Sequence, residues 1–233
     1  MRLRPAVLFA LFTTARTLTA QVGYPPEKSP YRDILNGQGF SLYGGYIGGS
    51  RGLLGIGPAG GPIGGVRYEL SIGGPTDVVI GAGYGVLKRM IVDPNADTLS
   101  RTIGPVNQPM VTVDVGLNVL LTGHKTWHGL APYLGANMGI AFGGKVAADS
   151  SGYNFNTKFL VGPQVGVRWY PSQTFTVRLE GRDVFWQIKY PSSFFATPSR
   201  APTQPSVLST TTDPSAEWIQ HPSVLLSIGI AFR

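Results

Sequence analysis

The sequence predicts an all-β chain, an eight-stranded antiparallel up-and-down transmembrane β-barrel. Three observations carry that reading. The stretch Phe159 to Gln187 forms two long alternating runs broken only at Pro171-Ser172-Gln173. In the first run Phe159, Val161, Val165, Val167 and Trp169 share one parity, opposite Gly162, Gln164, Gly166 and Arg168. In the second, Phe175, Val177 and Leu179 oppose Thr176, Arg178, Glu180 and Arg182. Side chains alternate faces along a strand, so this hairpin has one apolar and one charged face, and both runs exceed a typical strand length. The second observation is that such runs recur eight times. The third is that the connections between them alternate between long and short.

In chain order, strand one is Gly39–Gly48, with Phe40, Leu42 and Tyr46 on one parity. After a glycine-rich loop, strand two is Ile63–Gly73, where Val66, Tyr68, Leu70 and Ile72 oppose Arg67, Glu69 and Ser71. Gly74-Pro75-Thr76 reads as a tight turn. Strand three is Asp77–Lys88, followed by a predicted long loop, Arg89 to Pro109. Strand four, Met110–Leu121, alternates Val111, Val113, Val115, Leu117, Val119 and Leu121 against Thr112, Asp114, Gly116 and Asn118. Strand five is Leu130–Phe142, and the Phe159 hairpin supplies strands six and seven. Ile188 to Pro222, rich in Pro, Ser and Thr, reads as the longest irregular segment, either an adhesive surface or a disordered lid; Ser223–Arg233 is the last strand. Loops this long count against a strand assignment in a compact domain. Here they all fall at one end of an up-and-down sheet, as external loops do in outer-membrane barrels.

Composition narrows the class. The chain has 233 residues with 32 glycines, 19 prolines and only 13% charged residues, a departure from an average soluble domain without the period of collagen. No apolar run outside the N-terminus is long enough for a transmembrane helix. The absence of cysteine removes disulfides, thiol nucleophiles and thiolate metal sites. Residues 1–20 read as a signal peptide, with Arg2 and Arg4 before the apolar Ala6 to Phe12 and a cut expected after Ala20. Its loss removes three arginines and lowers the formal charge from +7 to +4. That balance suits anionic lipid headgroups or lipopolysaccharide phosphates and is no nucleic-acid signature. Residues 21–38 read as a periplasmic leader or partial plug, and 39–233 as the barrel.

Seven charged residues fall within the strands: Arg67, Glu69, Asp114, Arg168, Arg178, Glu180 and Arg182. All lie opposite the apolar series, and in a barrel of eight strands the interior is filled by side chains. The expectation is a structural network of ion pairs in the lumen, because an unpaired buried charge is costly. The other reading, a selectivity constriction formed by Arg168, Arg178, Glu180 and Arg182, fits a filled interior less well. Asp183 breaks the pattern on the apolar parity and is assigned to the outer rim or to a bulge, as is Lys88. A soluble lipocalin-like barrel would reverse the two faces. The membrane version is favoured by the segregated loops, by Tyr43, Tyr46, Tyr68, Tyr84, Trp169, Tyr170, Phe175 and Trp186 near strand ends, and by a chain that stops on the barrel.

The segments GLNVLL–turn–APYLGANMGIAFGG, VGPQVGVRWYPS–TFTVRLEGRD and SVLLSIGIAFR resemble the small outer-membrane β-barrel family around OmpA, OmpX and OmpW. The resemblance covers roughly 39–233 and is most specific in the RWYPS–RLEGRD hairpin and the terminal strand. It implies residence in the outer membrane, contact with outer-membrane lipid and lipopolysaccharide, and Phe232 as the signal read by the barrel-assembly machinery. In the family the terminal strand usually ends on its aromatic residue; here Arg233 follows. No peptidoglycan-binding domain is expected after the barrel, and a monomer is.

Motifs for chemistry are weak. His124 and His128 share a turn with no third metal ligand near them, so a solvated turn is expected. His221 shares a predicted loop with Asp213, Glu217 and many serines; serine-rich segments generate Ser-His-Asp matches by composition alone. No G-x-S-x-G is present, and Gly81 to Gly85 lacks the following helix of a phosphate loop. No cofactor or metal is expected, nor an enzyme. The leading function is a structural or surface-interaction role with four external loops. The alternative is a porin-like, OmpW-like passage protein for small or hydrophobic solutes. A lipid-modifying enzyme comes last.

Overall fold

The computed structural model describes residues 28–233 of the chain. Its strands are β1 (Tyr31–Asp33), β2 (Gln38–Ile47), β3 (Gly61–Gly73), β4 (Thr76–Val92), β5 (Thr102–Leu120), β6 (Lys125–Trp127), β7 (Leu130–Gly143), β8 (Asn156–Trp169), β9 (Phe175–Lys189) and β10 (Ala216–Phe232). Eight of them close a ring of antiparallel neighbours in the order β7-β5-β4-β3-β2-β10-β9-β8, with β8 returning to β7. The short strands β1 and β6 stand beside the ring as a two-stranded ribbon, Tyr31 opposite Trp127 and Asp33 opposite Lys125. The predicted signal peptide lies outside the described residues.

Period-two patterning decides which way each side chain points. Along β5 exposure alternates residue by residue, with Val111, Val113, Val115, Leu117 and Val119 on the outside and Thr112, Asp114 and Asn118 buried within. The same alternation leaves Leu42, Ile80, Leu134, Val165, Leu179, Leu226 and Ile228 exposed on the outer wall. An apolar exterior around a charged interior is the reverse of a soluble barrel and the arrangement hydrocarbon requires. The barrel is therefore transmembrane. Residues 48–60, 93–101, 144–155 and 190–215 connect strands at one end, the loop end; short connections close the other, the turn end.

Two predicted loops are largely strand. β4 continues to Val92 and β5 begins at Thr102, with a register shift between Arg89 and Ile91. β10 begins at Ala216, so His221 and Pro222 belong to the barrel wall rather than to a loop. β8 likewise begins at Asn156, earlier than its hydrophobic run suggests. The prolines that argued for loops are tolerated for a local reason. In an antiparallel sheet a residue's N–H and C=O face the same neighbour. The Pro109 carbonyl accepts from Gly144, just past the end of β7, and the Pro222 carbonyl accepts from Gly48, just past the end of β2. Each ring nitrogen withholds only the bond back to that partner's carbonyl, which the preceding side chain supplies instead, Gln108 Nε2 to Gly144 O and His221 Nδ1 to Gly48 O.

The loop end is packed rather than open. Phe194, in a single 3-10 turn (Ser192–Phe195), and Leu208 are buried in the longest connection, against Tyr153, Phe155, Trp186, Ile188 and Ile219. The disordered-lid reading of that segment is thus replaced by a folded cap. At the turn end Ile34 is buried with Leu120, Ala131 and Tyr133. Backbone bonds from Ile34 N to His124 O and from Ser71 N to Gly37 O hold the leader across that mouth.

The outward position of Val115, at the centre of the exposed run Val111 to Val119 on β5, yields a direct test. Val115→Arg is expected to lower stability in phospholipid vesicles by about 2–4 kcal/mol, the cost of a cation at the bilayer midplane. Equilibrium urea unfolding of the refolded protein measures it.

Candidate functional site

The inner wall carries two different fillings, one charged and one apolar. On the turn-end side Arg67, Glu69, Asp114, Arg168, Arg178, Glu180 and Arg182 are all buried in the lumen. Alternation puts them there: each lies an even number of residues from an inward neighbour on its own strand. Glu180 is the hub. Arg67 Nη2 reaches its Oε1 at 2.9 Å, Arg182 Nε reaches the same oxygen at 2.5 Å, and the Tyr133 hydroxyl donates to its Oε2. Arg178 bridges Glu180 to Glu69, and Arg168 Nη2 meets Glu69 Oε2 at 2.8 Å. Arg182 Nη1 extends the chain to Asp114 Oδ1 at 3.3 Å, and Arg168 Nη1 to Asp77 Oδ2 at 3.1 Å.

Asp77 thus joins the seven, making four arginines against four acids. The set is formally neutral. Parity could have found Asp77, which lies two residues before the inward Val79 and four before the inward Gly81. Tyrosines complete the packing: the Arg67 guanidinium lies over the Tyr43 ring and that of Arg178 over Tyr133. Each ring needs a missing side chain opposite it. A Cβ at Gly166 would fall within 2.5 Å of the Tyr133 hydroxyl, which is why glycine stands on the polar parity there.

Tyr43 and Trp186 are therefore lumen residues, not members of an interfacial girdle. They sit near strand ends in sequence, but they share parity with Ser41 and Glu180, which turns both rings inward. Tyr46, Tyr84, Trp169, Phe175 and Trp218 do face outward. Asp183 needs no bulge: β9 and β10 keep one register from Ala216 opposite Lys189 to Ile230 opposite Phe175. Its carboxylate accepts from the Gln220 amide on the outer wall. Lys88 also points outward, and the register shift begins one residue beyond it.

Above these ions, toward the loop end, the filling turns mainly apolar, with one further buried pair, Arg89 Nη2 to Asp149 Oδ2 at 2.6 Å. Trp186 stacks on His221 with centroids 3.8 Å apart and meets Phe155 edge-on at 5.8 Å. His221 Nδ1 donates to the Gly48 carbonyl at 3.1 Å. His221 does not join Asp213 or Glu217. Asp213 accepts from Ser209 N, and Glu217 from the Tyr190 hydroxyl and Leu53 N. His124 and His128 brace the leader, through the His124 carbonyl and through His128 N donating to Pro30 O. Between ions and plug lies a chamber of about 30 Å³ lined by Tyr43, Asn137, Leu160, Arg182, Val184 and Trp186. Both amide atoms of buried Asn137 lack protein partners, so the chamber suits one or two waters. Phe232 faces outward on the last strand, opposite Gln38.

Removing the hub should be costly. Glu180→Gln leaves Arg67 and Arg182 without their shared carboxylate, and a drop of about 3–5 kcal/mol is expected, the usual cost of stranding a buried charge. A lower urea midpoint in vesicles measures it.

No protein-family model and no curated protein sequence matches the chain. Solved structures do. Neisserial surface protein A aligns over 84% of this chain and 97% of its own, with 12% identity and a TM-score of 0.52. The outer membrane protein OprG from Pseudomonas aeruginosa aligns over 85% and 97%, with 10% identity and a TM-score of 0.50. With its ring of eight up-and-down strands, apolar outside and ion-paired inside, the chain has the fold of the small eight-stranded outer-membrane β-barrels.

Proposed function

We propose that the chain is an exported outer-membrane barrel with a structural or surface-interaction role, its loop end facing outside the cell. One observation carries this reading: the lumen is occluded at three levels. Ile34 closes the turn end, the Glu180-centred ion pairs fill the middle, and Trp186, Phe155 and Phe194 fill the loop end. A barrel so filled offers no continuous aqueous path. What it does offer is a rigid outer cap. Arg51 donates to the carbonyls of Lys88 and Ala59, Leu53 N donates to Glu217, Thr98 meets Gln204, and Asn95 accepts from Ser199. Loops tied to one another in this way present a fixed surface, as a docking protein needs.

Residues 1–20 serve in this reading as the export signal, and the apolar wall contacts outer-membrane lipid. The mature chain acts as a monomer without catalytic chemistry, cofactor or metal. Passage of a small or hydrophobic solute is the second reading, and one observation favours it. Phe155, Phe194 and Leu208, which complete the loop-end plug, come from connections rather than from the wall and are displaceable in principle.

Planar-bilayer recording separates the two. The refolded native protein is expected to show no reproducible single-channel openings, and openings would overturn the structural reading in favour of passage. The same preparation should migrate differently on a gel before and after boiling, the behaviour of a closed barrel. Phe232→Ala is expected to slow insertion by the barrel-assembly machinery while leaving spontaneous refolding in detergent unchanged, measured as folded fraction against time.

A further inference from the structure

The leader and the β8–β9 turn enclose a second cavity, outside the lumen. It is a cleft at the turn end, between the β1–β6 ribbon and Pro171-Ser172-Gln173, and holds about 630 Å³. That is within the range of about 300–1,000 Å³ typical of small-molecule sites, unlike the water-sized chamber in the barrel. Residues of the ribbon alternate between two faces. Tyr31 and Trp127 lie side by side on the outer face, both half exposed. Arg32 and Thr126, also register partners, line the cleft.

The lining suits an anion. Lys28 and Arg32 both contribute to it, and neither meets a carboxylate among the described residues. Asp33, the one acid among the described lining residues, lies 3.7 Å from Lys125 Nζ. Lys28 and Arg32 are thus left as two positive charges without a counter-ion. Hydroxyl donors come from both walls. Ser29 Oγ accepts from Tyr31 N and Ser172 Oγ accepts from Phe175 N, so each keeps its own proton to give.

The cleft is also continuous with the apolar wall. Trp169 lines it and stands exposed on the outside of the barrel, in one row with Leu130 of β7 and Val177 of β9. Exposed Trp and Tyr mark the depth at which headgroups lie. A soluble acidic partner would use the charges and leave the apolar row uncovered. A zwitterionic headgroup would bring an ammonium toward Lys28 and Arg32.

We infer that this cleft is a site for an anionic phospholipid of the periplasmic leaflet, of the phosphatidylglycerol type. Its phosphate meets Arg32 and Lys28, and its acyl chains lie along Trp169, Leu130 and Val177. Guanidinium–phosphate bonds are charge-assisted and among the stronger hydrogen bonds, and basic pockets beside membrane spans hold such headgroups. A lipid held there ties the ribbon, and with it the leader that closes the turn end, to the membrane surface. The inference rests on the reading that the loop end faces outside the cell, which turns this cleft to the phospholipid side.

The test reads lipid contact by tryptophan quenching in Trp218→Phe protein. Trp127 and Trp169, at the turn end, are then the exposed tryptophans, while Trp186 stays buried in the plug. Refolded in phosphatidylcholine vesicles, this protein is expected to take dibrominated phosphatidylglycerol about tenfold more tightly than dibrominated phosphatidylcholine. Lys28→Gln with Arg32→Gln should bring the two lipids level. Lys88→Gln with Lys189→Gln, an equal loss of charge from outward loop-end positions, should leave the preference in place. Equal quenching by both lipids before these substitutions would overturn the site and leave the cleft to a soluble acidic partner. A preference lost equally in both pairs would overturn it in favour of general surface charge. Glycerol phosphate in solution is expected to leave the preference unchanged, and its loss would make a free phosphate the ligand. Raised salt should weaken the preference with no substitution in the cleft, and a salt-independent preference counts against the site. Orientation is read separately. Thr211→Cys, exposed in the longest connection of a chain without cysteine, should react with an impermeant maleimide on intact cells. Absence of labelling would overturn the outward loop end, and with it the leaflet, while the quenching result stands.

Discussion

Ring closure is the constraint from which the remaining features follow. In hydrocarbon there is no water for an unpaired N–H or C=O, so a sheet spans a membrane only when its last strand returns to its first neighbours. Here β10 pairs with β2 over ten residues and β8 with β7 over fourteen. Closure at eight strands leaves a lumen too narrow to stay empty. That narrowness dictates glycines opposite the tyrosine rings, and it forces every inward charge to find a partner within side-chain reach.

The ion network is best understood as filling that happens to be charged. Replacing buried ion pairs by apolar groups is often neutral or stabilising, so their presence is weak evidence of stability and better evidence of specificity. Glu180, Glu69 and Asp114 link residues of β3, β5, β8 and β9, and Asp77 brings in β4. A slip of one residue in any of these strands would carry its charge to the lipid face. The network therefore penalises wrong registers, a task apolar side chains inside and outside could not perform. The loop-end plug joins inward wall residues such as Trp186, Ile188 and Ile219 to Phe155, Phe194 and Leu208 from the connections, which lie outside the ladder and pack onto them.

Much of this was legible in the residue order. Parity alone turned Arg67, Glu69, Asp114, Arg168, Arg178, Glu180 and Arg182 to one side, and alternating loop lengths put the connections at two ends, because both are properties of a strand taken by itself. Parity also held Asp77, the first residue of strand three, and Tyr43 and Trp186, although the places of the two aromatics near strand ends pointed to a girdle. Strand ends were not legible: proline marks a boundary only where nothing replaces the bond its nitrogen withholds, and whether His221 beside Pro222, or Gln108 beside Pro109, can supply it depends on another strand. The sequence by itself determined which side chains share a face and that one face is apolar. Only the tertiary structure decided which arginine meets which carboxylate, that His221 stacks on Trp186 instead of meeting Asp213, and that Asp183 faces outward without a bulge, because those outcomes depend on inter-strand register, which no single strand encodes.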